Sequence, residues 1–339
     1  MYFPHHAQIG AAANITVPDA VPVLSYSPVV VPIAGRPADL QMRVSAPAPV
    51  TGANNDDDDN LLPVIVLAHG AGSTNSLSSL EGYGPIADFW AGHGFVVVQP
   101  TLLYSTTLDV DGPGAADGWY RESAADLSHV LDHLDDIERS VPLLSGSGRR
   151  LDREKIAVAG HSMGAWVAAL TLGLSNVDPR SANGTNAFTA RDDRFKAGLI
   201  LSGMGLGGDA ISEQGKTLIP AYGPDFSSLT TPSLVVYGDH DVQPYLTVRG
   251  ADWHADPYVH GPGATDLLAV KGGGHLLGGI AGWDAAETDD ESPERLAAVE
   301  RMTWAYLWSS LHGDDDDAWS TAVEALGDLP EIGSVQHKE

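Results

Sequence analysis

Lys155-Ile156-Ala157-Val158-Ala159-Gly160-His161-Ser162-Met163-Gly164-Ala165-Trp166 is the stretch whose reading decides the fold. A mainly apolar run enters the G-x-S-x-G pattern of 160–164, and a helix-forming run from Ala165 to Leu172 leaves it. Strand, tight turn and helix in that order describe a nucleophile elbow. The turn forces its central serine into a strained backbone conformation. Side chains two residues to either side would collide, so glycine stands at both places. The outcome is a hydroxyl presented above the end of a sheet, within reach of a base and a substrate.

Strands and helices alternate outward from this unit. Val23 to Ser45 reads as two antiparallel strands joined at Ala34-Gly35-Arg36-Pro37, and the prolines at 22, 28 and 32 make the first an edge strand. Pro63-Val64-Ile65-Val66-Leu67-Ala68 is continuous in its apolarity, as a parallel strand buried on both faces should be. Further strands are expected at 95–98, 197–201, 233–237 and, last, 266–270. Helices are expected at 80–91, 121–139 and 293–311. The fold class is therefore α/β, a mostly parallel central sheet with helices on both faces and loop insertions forming a small lid. One domain spans 1–339, with an N-terminal extension over 1–20, an acidic surface loop over 46–60, lid or pocket-wall insertions at 175–195 and 204–231, and a C-terminal tail over 313–339.

Composition narrows the chemistry. The 339 residues include no cysteine, which excludes disulfides, a thiol nucleophile and thiolate metal sites. The net charge of −27 opposes nucleic acid and anionic membranes as partners. Aspartates at 56–59 and 314–317 supply eight of the 45 acidic residues and read as solvated loops, lacking the alternating spacing of a calcium loop. A high-salt proteome is the second reading of the acidity. Residues 1–10 show no basic segment followed by an apolar core, so no secretory signal and a cytoplasmic location are expected; a signal trimmed earlier would mean secretion. No apolar run is long enough to span a bilayer.

A serine hydroxyl needs a histidine to take its proton and a carboxylate to orient that histidine. After such an elbow the acid is expected next in the chain and the histidine last. Val236-Tyr237-Gly238-Asp239-His240-Asp241 supplies the acid just past a strand, where chemistry collects in open α/β sheets. Asp241 is preferred; Asp239 is the second candidate, placed early in the turn. His275, in Gly272-Gly273-Gly274-His275 after the last strand, is the base, and the glycines let its backbone approach the serine. The oxyanion donors are assigned by position to the amides of Met163 and Ala71, with Gly72 as the fallback. His69 is read as bracing its loop. His254 and His260 flank Asp256, where a metal site is disfavoured; no metal and no cofactor are expected.

With these landmarks in hand, the chain resembles an α/β-hydrolase. His69-Gly70-Ala71-Gly72, Gly160-His161-Ser162-Met163-Gly164, Gly238-Asp239-His240-Asp241 and Gly274-His275 match that superfamily in order, over about residues 20 to 312. The paired loops are similar to those of monoacylglycerol-lipase-type and chlorophyllase- or polyester-hydrolase-like esterases. That resemblance implies oxyanion donors at Ala71 and Met163, and water attack on an acyl-enzyme. Ala165-Trp166 departs from it where many lipases carry a further glycine, and Trp166 is expected to pack the elbow helix.

Gly72, Tyr104, Trp119, Met204 and Trp253 are expected to line an apolar pocket for a bulky acyl or alkoxy group. The leading reading is a serine hydrolase of carboxylic esters, including lipase-like and lactone-opening activity, on a small-molecule ester. A thioesterase or peptidase using the same triad is the alternative, and a catalytically silent binding protein comes third. Homo-oligomerisation is left open by the sequence.

Overall fold

The structure, a computed structural model, describes residues 9–48, 61–112, 114, 117–145, 148–181, 186–283, 285–313 and 316–338. The aspartates at 56–59, 314 and 315 lie outside these residues. Twelve strands are present among the described residues: β1 Val23–Val31, β2 Leu40–Pro47, β3 Leu61–Ala68, β4 Val96–Pro100, β5 Arg150–His161, β6 Ser175–Val177, β7 Ala187–Phe188, β8 Phe195–Leu201, β9 Pro224–Asp225, β10 Ser233–Gly238, β11 Ala264–Val270 and β12 Gly333–His337.

Nine of them form one sheet in the order β1-β2-β4-β3-β5-β8-β10-β11-β12. From β4 to β11 all neighbours run parallel, and the antiparallel pairs sit at the two margins. The apolar runs explain this arrangement. Val64, Val66 and Ala68 of β3 face one buried layer, while Ile65 and Leu67 face the other. The first layer is closed by the helices Tyr120–Asp132, Leu134–Ser140 and Met163–Thr171, and the second by Gly84–Gly92, Pro293–His312 and Ala318–Gly327. Each central strand thus buries both faces, as its lack of polar alternation requires.

Several expectations change in the structure. The helix foreseen over 121–139 is two helices broken at His133. β11 is not the last strand: residues beyond 312 form a helix and then β12, which pairs antiparallel with β11 and covers its edge. The extension is docked, with Ala12 and Ile15 buried and the Ala11 amide bonded to Glu294 Oε1 at 2.7 Å. The segments 175–195 and 204–231 hold a small sheet of order β7-β6-β9. Tyr222 and Phe226, from the second of them, enter the core layer that holds Trp166 of the elbow helix. Trp166 itself stacks on Tyr120, 4.6 Å between ring centroids, and meets Tyr222 edge-on. Part of these segments thus packs on the elbow helix.

Candidate active site

The elbow forms as its glycines require. Ser162 sits at φ 54°, ψ −118°, between the end of β5 and the helix Met163–Thr171, and its amide donates to the Leu201 carbonyl at 3.0 Å. A Cβ at Gly160 would stand 2.1 Å from the Gly164 carbonyl oxygen, and one at Gly164 would stand 2.2 Å from that of Ala68. No side chain fits at either place. Met163 opens the helix, so its amide has no intrahelical acceptor.

The other candidates gather at the carboxyl ends of the parallel strands. Asp241 follows β10 and His275 follows β11; His275 Nδ1 donates to Asp241 Oδ2 at 2.8 Å. A Cβ at Gly238 would meet the Gly273 carbonyl oxygen at 2.1 Å, so the acid and base loops touch backbone to backbone. Asp239 is occupied elsewhere: it accepts from the Gly272 amide at 2.6 Å and faces Lys271 Nζ at 3.1 Å. Ser162, Asp241, His275 and Ala71 all line one cavity of about 300 Å³, together with Leu77, Val242, Gln243, Tyr245, Leu276, Glu287 and Asp289.

Residues to which the sequence reading gave no role hold this arrangement. Gln243 Nε2 donates to Asp241 Oδ1 at 3.0 Å and lies 2.5 Å from His275 Nδ1. Burial alone would raise the pKa of Asp241, but the charge and hydrogen bond of His275, with His254 close by, hold it well below the usual carboxylate range. His161 is neutral and fully buried. Desolvation, aided by His275, takes its pKa down to about 3. Its Nε2–H donates to the His275 carbonyl at 2.8 Å, and its Nδ1 accepts from the Tyr83 hydroxyl at 2.8 Å. The Tyr83 oxygen accepts in turn from the Gly70 amide at 2.8 Å, so a buried chain of bonds joins the loop after β3 to His275. Asp290 takes the Gly274 and Gly278 amides, while Glu287 takes those of Ser73 and Thr74. One segment is therefore tied to both loops.

The remaining sequence candidates fall elsewhere. His69 donates through Nδ1 to the Gly70 carbonyl and accepts at Nε2 from the Leu102 amide; desolvation lowers its pKa to about 4. The expected aromatic pocket is revised, because the cavity at Ser162 is lined by none of Tyr104, Trp119, Met204 and Trp253. The Tyr104 hydroxyl donates to the His69 carbonyl from behind the loop. Trp119 borders a separate cavity of about 410 Å³ beside Arg36 and Asp126. Met204 lies against Trp166 and Tyr222, and Trp253 is wholly buried with its indole N–H on the Leu206 carbonyl at 2.9 Å. Gly72 packs between Leu77 and Glu287, at the cavity's margin. Asp256 accepts from Arg249 Nη1 and the Leu206 amide, so it forms no group with His254 and His260. Among the described residues one cluster has metal-compatible donors, Asp241, His254 and His275, whose ligand atoms all lie within 4.8 Å of one another.

This order of elements and turns has relatives. The sequence profile described as alpha/beta hydrolase family matches residues 65–335. The chain belongs to that family. Comparison with curated protein sequences finds no match. Among solved structures the alpha/beta hydrolase chain is similar to a ferulic acid esterase from Streptomyces cinnamoneus, at 18% identity and a TM-score of 0.50 over 86% of this chain and 89% of that one. It is also similar to an arylesterase, at 14% identity and a TM-score of 0.50 over 89% of both chains. A candidate dipeptidyl aminopeptidase IV from Bacteroides ovatus aligns at 15% identity and a TM-score of 0.52, over 86% of this chain but 36% of that one. At these identities the likeness is one of fold. Among the described residues, no helix is long and apolar enough to cross a membrane.

Proposed function

We propose that the protein hydrolyses carboxylic esters through an acyl-enzyme on Ser162. The observation that carries this reading is the shared cavity: a serine on a strained elbow faces the same 300 Å³ space as a histidine bonded to a buried aspartate at 2.8 Å. The chain, 1–339, is read as one catalytic domain around that cavity.

His275 Nε2 takes the proton of Ser162 Oγ as the oxygen attacks the ester carbonyl. Asp241 keeps the Nδ1–H tautomer and stabilises the imidazolium that forms. The amides of Met163 and Ala71 stabilise the oxyanion. Collapse expels the alcohol, which leaves with the proton from His275, and a water activated by the same nitrogen then releases the acid. Leu77, Val242 and Leu276 offer apolar walls, while Glu287 and Asp289 make the rim acidic. A neutral ester with a compact acyl group suits such a space better than an anionic one.

Fluorophosphonate labelling tests the proposal. One probe per chain is expected, with none on Ser162→Ala, and a panel of p-nitrophenyl esters should favour short acyl chains. Turnover of those esters by folded Ser162→Ala would sink the assignment.

A further inference from the structure

His254 borders the proposed triad from its buried side, and its hydrogen bonding leaves a misfit. The ring is 1% exposed. Its Nδ1–H donates to the Gly203 carbonyl at 2.6 Å, which turns Nε2 toward the triad. Nε2 stands 3.2 Å from Asp241 Oδ2 without hydrogen-bond geometry. A buried ring nitrogen beside a carboxylate oxygen, with no hydrogen bond between them, is an arrangement that a shared cation would satisfy.

We propose that Asp241, His254 and His275 form an inhibitory site for a divalent transition-metal ion, with zinc as the best fit. This rests on the reading of His275 as the catalytic base. Zinc accepts two imidazoles and a carboxylate at about 2.0–2.2 Å, with a fourth position left for water. Tetrahedral ligands at that range stand about 3.4 Å apart. Here Oδ2 is 2.8 Å from His275 Nδ1 and 3.2 Å from His254 Nε2, and all the donors fall within 4.8 Å. The two distances to Oδ2 lie within about 0.6 Å of that spacing, and the two imidazoles close the rest. The bond from His254 to Gly203 is the outer-shell support that metal-ligating histidines usually have. The cavity touches Asp241 and His275, which gives the ion a way in. Two imidazoles select zinc, cobalt or nickel over calcium and magnesium, which favour all-oxygen shells.

Inhibition follows from proton positions. In the active form His275 carries its proton on Nδ1 and offers Nε2 to Ser162. The metal takes Nδ1, the proton displaced there is released, and the ring takes one up at Nε2 from water. Net proton change is zero, but Nε2 now holds a proton and no lone pair, so it cannot deprotonate the serine.

The experiment uses the metal-free protein and the variants His254→Gln and His254→Phe, each checked for fold by circular dichroism. One equivalent of cobalt should give the intense visible absorption of a tetrahedral nitrogen–oxygen site. Zinc should displace it and stop hydrolysis of p-nitrophenyl acetate, with recovery on chelation. Either variant should need about 10- to 100-fold more zinc for the same inhibition. Inhibition undiminished in both variants overturns the proposal, because the metal would then bind elsewhere on this acidic surface. So does a wild-type protein whose hydrolysis ignores zinc. If both variants fail to fold, a weak octahedral cobalt spectrum in the wild type overturns it as well. Tight tetrahedral cobalt binding by a protein that neither hydrolyses esters nor reacts with fluorophosphonate would sink the esterase reading and leave the metal site standing.

Discussion

Ser162 holds a backbone conformation that L residues avoid, φ 54°, and the fold sustains it because Gly160 and Gly164 let the backbone pack closely on either side of the turn. Such strain is worth on the order of 1–3 kcal/mol, while glycine in its place adds unfolded-state entropy of about 0.5–1 kcal/mol. Ser162→Gly should therefore melt about 2 °C above Ser162→Ala. Equal melting temperatures would mean the turn is unstrained. Asp241 and Asp239 make a second contrast. Asp241→Asn should lower kcat about 10⁴-fold, since the amide favours the wrong tautomer of His275. Asp239→Asn should leave kcat within about tenfold, since its bonds are to Gly272 and Lys271. Near-normal turnover by Asp241→Asn would overturn the choice between them.

At the scale of elements, the sequence is most informative where geometry dictates a residue type. The elbow and the two loops that end β10 and β11 could be read because their turns admit only glycine at the tight positions. The central strands could be read because an unbroken short apolar run suits a strand covered on both faces. What stayed hidden depends on partners far apart in the chain. Nothing local says that the Tyr83 hydroxyl reaches His161, that Gln243 bonds to Asp241, or that His254 turns toward Asp241 instead of Asp256. Aromatic residues misled for the same reason: Trp253 and Met204 follow the right strands but fill the core. β12 was missed because Gly333–His337 is short and polar, as an edge strand is free to be. The helix Pro293–His312 carries a test of its own. Desolvation raises the pKa of Glu300 to about 8, against the neighbouring charge of Arg301. The folded protein then holds a proton that the unfolded chain releases near pH 4.5, so stability from this group is complete below that pH and is lost as pH rises to about 8. Glu300→Gln should gain on the order of 2 kcal/mol relative to wild type at pH 8, and nothing at pH 4. Urea titrations of both proteins at the two pH values decide the matter, and a gain equal at both would refute the titration.

Across the whole molecule, parallel strands bring four distant loops to one end of a sheet, and all four line the cavity. The net charge of −27 and the acidic rim extend the selectivity of that cavity beyond its walls. Anionic esters approach against the field, an effect that salt weakens over a Debye length of about 10 Å at 0.1 M.

The segment bearing Glu287 and Asp290 gives the assembly a single point of vulnerability. Glu287 secures the loop after β3, and Asp290 secures the glycines flanking His275. A glutamyl endopeptidase cutting once beside Glu287 would free both loops in the same event. Ester hydrolysis should vanish with the first nick, in step with the appearance of two fragments on a denaturing gel. Far-ultraviolet circular dichroism should persist, since the nine-stranded sheet keeps every strand. Full activity in the nicked protein would show that the loops hold their places without this clasp.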